Sequence, residues 1–196
     1  MNIITDLHKH FAQFDPTIEE TMPFEVNDIG FFSAWLDPLT MPKMVPDIPY
    51  TDLSRTLLNN FAGTVIVSCD AATPAYYPDL DYIRLVPKQN YTVNPDTNFL
   101  LSFLHELSHA SGHVARLDRP KANESLVEYA KEELIAEQCA ALLMDKYGLY
   151  EQSRDFHSKY IARWLHHGEF SDKLAVLGET SEQAQIAFDY MTRRND

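Results

Sequence analysis

The sequence predicts an α+β fold, a small antiparallel sheet packed against a mainly helical C-terminal part. Three observations carry this expectation. Two short β-branched runs, 64–69 (TVIVSC) and 81–86 (DYIRLV), are separated by a turn region, 74–80 (PAYYPDL), so they are expected to pair antiparallel. From Asn94 onward the chain reads as helices with clear start and stop signals. Finally, 196 residues, 45% of them hydrophobic, suit one globular domain or one domain with an appendage.

Six of the eleven prolines fall in the first fifty residues. Residues 1–50 are therefore read as an irregular, proline-rich N-terminal segment that opens with a short helix over 3–14. Phe24, Phe31, Phe32 and Trp35 suggest that this segment packs against something. Residues 51–196 form the expected folded domain. Thr51 is a good N-cap for a helix over 52–63, which stops at Gly63. The two strands follow. A long helix then spans 94–112, with Asn94 as N-cap, Pro95 in its first position and Gly112 as its stop. The next, 125–148, opens with a Ser125–Glu128 capping box and closes at Gly148. Helices over 153–168 and 180–194 complete the chain. Gly112, Gly148, Gly168 and Gly178 all lie where a helix is expected to end, so they punctuate rather than cradle phosphate.

Composition removes several function classes. No apolar run approaches the roughly 20 residues that span a bilayer. The start "MNIITDLHKHFAQFD" lacks the charged head and unbroken apolar core of an export signal. Cys69 and Cys139 sit in separate elements, which suggests no disulfide framework and fits a reducing cytoplasm. No cysteine lies near the histidines, so a thiolate zinc finger is excluded. A net charge of −13 and a pI near 4.9 argue against general affinity for nucleic acid, which needs cations to displace counterions. Solubility explains the charge most simply; acidic mimicry of DNA is the other reading.

The chemistry is concentrated in "HELSHASGH", 105–113, which contains His-Glu-x-x-His. Residues four apart stack on one helix face, so His105 and His109 can aim two imidazoles at one ion. Glu106 points to one side, where a carboxylate can act on water at that ion. This is the mechanical content of the zincin motif. The bland alternative is a pair of core or surface histidines. Apolar Phe99, Leu100, Phe103, Leu104 and Leu107 place the motif on a partly buried helix.

A third ligand must come from elsewhere. The metzincin pattern wants a histidine at position 115, which is Ala115. His113, eight residues after His105, would lie about 12 Å further along a continuing helix, and could return only if Gly112 reversed the chain. The better source is "EELIAE", 132–137, where acids sit in a helix with Ala136, Ala140 and Ala141 close by. Small residues admit a neighbouring helix, and acids facing it need something positive to meet. Glu133 and Glu137 share a face. One can bind a metal while the other takes the N–H of a ligand histidine. Glu133 ranks first as ligand, then Glu137, then His113. His2Glu with an open position is a catalytic zinc set.

The ordered segments "AYYPDLDYIRL", "HELSHASGHVARLDR", "YAKEELIAEQCAALL", "HSKYIARWL" and "AQIAFDYM" resemble the metallopeptidase domain of ArdC-type antirestriction proteins. Related domains occur in polyvalent proteins of phages and conjugative elements. The resemblance covers roughly positions 50–196. It implies a gluzincin-like, zincin-like metallopeptidase fold binding Zn2+, with His105, His109 and Glu133 as ligands and Glu106 as catalytic base. His157 matches a histidine of the family pattern. His157 or Tyr77 could donate to the oxyanion of a tetrahedral intermediate, while local packing is the plain alternative for His157. His166 and His167, before Gly168, suit a helix C-terminus. ArdC-type proteins carry a single-stranded-DNA-binding domain ahead of the peptidase. Here an acidic stretch of about fifty residues stands in that place, shorter than a typical domain, so weak or no DNA binding is expected.

The functional expectation is a cytoplasmic, zinc-dependent peptidase acting on protein or peptide substrates, and the resemblance implies action inside a bacterial cell against host defence proteins. The strand over 81–86 is the expected edge for an extended substrate. The rival is a non-catalytic antirestriction protein with a structural zinc site and an acidic binding surface; a purely structural site does not need Glu106. A DNA-binding module is disfavoured by the charge.

Overall fold

Helix α1 (Ile3–Phe11) precedes three short strands, β1 (Ile66–Ser68), β2 (Ala75–Tyr77) and β3 (Tyr82–Arg84). Four long helices follow: α2 (Pro95–Ser111), α3 (Leu126–Lys146), α4 (Tyr150–His167) and α5 (Lys173–Thr192). This is a computed structural model, and the residues described are 3–13, 57, 60–61, 66–68, 71–119 and 125–193. The irregular segment expected over 14–50 and most of the helix expected over 52–63 lie outside them. Leu57, from that second stretch, is helical and fully buried.

The helix starts fall where the sequence suggests, but Asn94 holds its position in the left-handed conformation (φ 41°) that asparagine tolerates and makes no side-chain cap bond, and Pro95 starts α2. The Ser125 hydroxyl accepts the Glu128 backbone N–H at 3.1 Å, opening α3. Gly148, at φ +71°, takes the left-handed position just past the end of α3. Three boundaries differ from expectation. Helix α1 ends at Phe11, and α4 begins at Tyr150 rather than 153. Helix α5 starts at Lys173, capped by the Asp172 carboxylate on the Ala175 N–H (3.0 Å), and runs straight through Gly178. That glycine is exposed with open space around it, so the helix tolerates it at a cost of about 1 kcal/mol.

The sheet corrects the expected strand pairing. Its order is β1-β3-β2, with β1 parallel to β3 (Ile66↔Tyr82) and β2 antiparallel to β3 (Ala75↔Arg84, Tyr77↔Tyr82). The antiparallel partner of β3 is therefore the "AYY" stretch, flanked by Pro74 and Pro78 and read from sequence as a turn. Asp81, at φ 48°, closes the tight connection between them. Strand β3 is central rather than an edge, and among the described residues β2 has a free side.

Helix α3 is the axis of the molecule, packing on α2, α4 and α5. Ala130, Ala136, Ala140 and Ala141 are all fully buried, which lets the surrounding helices approach. On one side, Phe99, Phe103, Leu104 and Leu107 of α2 meet Ile83 and Leu85 below and Cys139 and Leu143 of α3. On the other, Leu134 and Ala141 meet Ile161, Trp164 and Leu165 of α4 and Ile3 and Leu7 of α1. A helix buried nearly all round is ordinarily apolar. Helix α3 nevertheless carries Glu133 and Glu137, 4% and 0% exposed. Those acids must be met from neighbouring helices.

Candidate metal centre

The residues that meet them are the two motif histidines. His105, His109 and Glu133 each present a ligand atom to one point, all within 4.8 Å of one another. His105 Nε2 is 3.3 Å from Glu133 Oε2, His109 Nε2 is 3.6 Å from Glu133 Oε1, and the two Nε2 atoms are 3.2 Å apart. Their Nδ1 atoms face away, toward separate acids. His105 Nδ1 donates to Glu137 Oε2 (2.8 Å) and His109 Nδ1 to Glu132 Oε1 (3.1 Å). A carboxylate can only accept, so these bonds keep a proton on each Nδ1 and make Nε2 the nitrogen that can offer a lone pair to a cation in exchange for its own proton. Two Nε2 atoms and a buried carboxylate then converge on one point. Such a donor set fits a divalent cation.

Electrostatics agree with this convergence. Burial disfavours a charged His109, yet the charge of Glu133 and bonds to Glu132 and Glu133 outweigh it and raise its pKa to about 9. His105 is likewise raised well above the ordinary imidazole range, against burial, by Glu133 and Glu137. Burial would raise both acids, but His109 and His105 hold Glu133 well below the carboxylate range, and His157 and His105 hold Glu137 at about 2. In metal-free protein, protons supply the positive charge.

Glu106 behaves differently. It is 7% exposed, and burial raises its pKa above the ordinary value despite the pull of His105 and His109 and a backbone hydrogen bond from Tyr76. A carboxyl shifted upward beside a cation-binding cluster suits proton transfer. Tyr76 belongs to β2, so Glu106 lies against the strand with the free side. Tyr77, on the same strand, stacks on Tyr82 (5.8 Å between centroids) and feels the charge of Glu106.

His157 and His113 lie elsewhere. His157 is fully buried, its Nδ1 donating to Glu137 Oε1 at 2.5 Å, so it stands behind His105 with the acid between them. That placement fits support of the cluster rather than contact with an oxyanion. The chain does reverse after Gly112, but it returns Arg119 instead of His113. Arg119 N–H bonds Gly112 O (3.0 Å), and a Cβ on Gly112 would come 2.7 Å from the Arg119 guanidinium. His113 is spent locally, its Nδ1 accepting the Ala115 N–H at 3.2 Å.

Three participants went unassigned in the sequence. Glu132, adjacent to Glu133, backs His109. Arg119 grips Glu132 through Nε (2.9 Å) and Nη2 (2.5 Å), and also reaches Ser111 Oγ and Ser108 O. Tyr160 donates its hydroxyl to Glu133 Oε2 at 2.7 Å. A usable signal existed for Tyr160, one turn after His157 on the same face of α4; none existed for Arg119.

The zincin-like metallopeptidase family model matches residues 55–177. The chain belongs to that family. Among relatives of this zincin-like protein, the uncharacterized protein y4eC of Sinorhizobium fredii is 30% identical over 159 residues, 80% of this chain and 50% of y4eC. DNA primase TraC of Escherichia coli is 37% identical over 91 residues, 46% of this chain and 8% of TraC. The chain thus spans half or less of the curated relatives it matches. The Mn(II)-bound crystal structure of antirestriction protein ArdC from the R388 plasmid superposes with a TM-score of 0.51 at 25% identity, over 78% of this chain and 54% of ArdC. Its metal-free structure gives 0.51 at 26%, over 78% and 52%. The ArdC-type resemblance and the α+β zincin-like fold are borne out. No described helix is long and apolar enough to cross a membrane.

Proposed function

We propose that this zincin-like protein is a zinc-dependent peptidase, with His105, His109 and Glu133 holding the ion and Glu106 as general base. The observation that carries the reading is the convergence of those three ligand atoms within 4.8 Å, each histidine backed by its own acid. Zinc, when bound, supplies Lewis acidity toward a scissile carbonyl and toward water. Glu106 takes a proton from the attacking water and delivers it to the leaving amine; its raised pKa supports both halves of that transfer. An extended peptide adds along the free side of β2, next to Glu106, rather than on β3. Glu137, with His157 behind it, and Glu132, with Arg119 behind it, hold the imidazoles in register. Of the two expected oxyanion donors Tyr77 is favoured, because its strand β2 also supplies the Tyr76 backbone bond to Glu106, while His157 is spent on Glu137.

The setting we propose is a bacterial cytoplasm, with the protein borne on a mobile element and directed at host defence proteins. Similarity to a plasmid antirestriction protein and to TraC supports it. The test is elemental analysis of purified parent, His109→Ala and Glu106→Gln proteins, paired with an in-cell assay for protection of incoming DNA. Metal should be lost from His109→Ala and kept by Glu106→Gln, whose activity falls by about 10²–10⁴-fold. If Glu106→Gln protects as well as the parent while His109→Ala does not, the protein acts by metal-dependent binding, and the peptidase reading fails.

A further inference from the structure

Helix α4 presents two polar groups to the centre. His157 and Tyr160, three residues apart, meet Glu137 and Glu133, four residues apart on α3. Both pairs are one-turn spacings, so a single face of α4 lies against a single face of α3. Tyr160 is 7% exposed and its ring is fixed on three sides. Phe156 stacks on it at 6.1 Å, Trp164 lies at 6.2 Å, and the ring meets His105 edge-on at 5.2 Å. A buried hydroxyl must spend its single proton on an acceptor. This one spends it on Glu133 Oε2.

We propose that Tyr160 is a positioning residue of the metal site, its hydroxyl fixing the plane of the Glu133 carboxylate so that it faces the point where the His105 and His109 Nε2 atoms converge. The proposal rests on the reading that His105, His109 and Glu133 hold the metal. Glutamate has three side-chain torsions, and the 2.7 Å bond from Tyr160 fixes the carboxylate end of Glu133. Without that bond the carboxylate would be free to turn and offer a cation both oxygens, as carboxylates readily do.

Tyr160→Phe isolates the hydroxyl, since the ring and its packing stay. The probe is Co(II) alone, titrated into metal-free protein in competition with a chromophoric chelator, with the visible absorption of the loaded protein recorded. Relative to parent, Tyr160→Phe should bind about 10–100-fold more weakly, as expected when a partner of a ligand is lost. Its visible bands should also weaken, because Co(II) absorbs less intensely as its coordination number rises. Phe156→Leu loosens the ring but keeps the hydroxyl, and should retain the parent's affinity and bands. Unchanged affinity and spectrum in Tyr160→Phe would overturn the proposal. So would an equal loss in Phe156→Leu, which would assign the effect to packing. A parent that binds no Co(II) would remove the metal-site reading itself, a result distinct from both.

Discussion

His105 and His109 are four residues apart on one helix, yet they are supported in different ways. Behind His105 stands Glu137, wholly buried, and behind that His157 on α4. Every member of that row is carried by a helix, and the Glu137 and His157 side chains are wholly buried. Behind His109 stands Glu132, 12% exposed at its side chain, gripped by Arg119 from the loop after α2. This second row depends on how one loop folds back across Gly112. One histidine is held by helix packing and the other by a loop. Damage to the two rows should therefore appear in different measurements.

The largest contrast is between Glu137→Ala and Glu132→Ala. Removing Glu137 leaves His105 Nδ1 with no substitute partner in a dry site. Metal affinity should fall by about 10–100-fold, the upper end being expected here. Removing Glu132 leaves the His109 ring where water can replace the lost bond, so affinity should fall toward the lower end. Arg119, however, is 3% exposed at its side chain and loses its counter-charge. Stability should then fall by about 3–5 kcal/mol, the usual cost of breaking a buried ion pair from one side. Chelator competition and chemical denaturation of both variants separate these effects. Equal losses of affinity with equal stability would erase the distinction between the rows.

Acidity sharpens the same comparison. In metal-free protein, His109 has a pKa of about 9 against an ordinary 6.5. Its charge therefore contributes stability fully below pH 6.5, and the contribution is lost as pH rises through about 9. Glu137, at about 2 against 4.5, contributes fully above pH 4.5 and loses that contribution as pH falls through about 2. Since the cation and the protons compete for one cluster, metal binding at pH 7 should release protons, and affinity should climb with pH up to about 9. Calorimetry in two buffers of different ionisation enthalpy measures that release. Binding with no proton release would mean that the histidines are already neutral.

What the sequence made legible follows the range of each interaction. Caps and motif spacing act within one turn of helix, and Asn94, Ser125, His105 and His109 announced themselves. Glu133 was visible because an acid among alanines in a packed helix calls for a partner. Strand pairing was not visible, because three-residue strands acquire partners only from the tertiary fold, and Pro74 and Pro78 made β2 resemble a turn. Gly178 misled for the opposite reason, since a helix held by its flanking contacts can carry one glycine. Arg119 meets its acid across 13 residues with no periodic signature, while Tyr160, 27 residues from its acid, had only its one-turn spacing from His157 to mark it. Only the packing of α2, α3 and α4 brings them in.

The smallest effect is the most selective probe of the loop-held row. At Gly112 a Cβ would come 2.7 Å from the Arg119 guanidinium, too close for either to stay in place. Backbone strain is not the issue, because Gly112 has φ −79°, a conformation open to any residue. Gly112→Ala should therefore push Arg119 off Glu132 and loosen His109 while leaving Glu137, His157 and His105 untouched. Metal affinity should drop only several-fold, less than for removing a backing acid outright. His113→Ala, one residue further on, should change nothing at the metal, because among the described residues its ring is hydrogen-bonded to the nearby Ala115 N–H and not to the cluster. Titrating both variants with the same metal compares neighbours that differ in whether they touch the row. If His113→Ala weakened binding more than Gly112→Ala, the loop would be delivering a histidine to the ion after all, and Arg119 would lose its place as the element that holds His109.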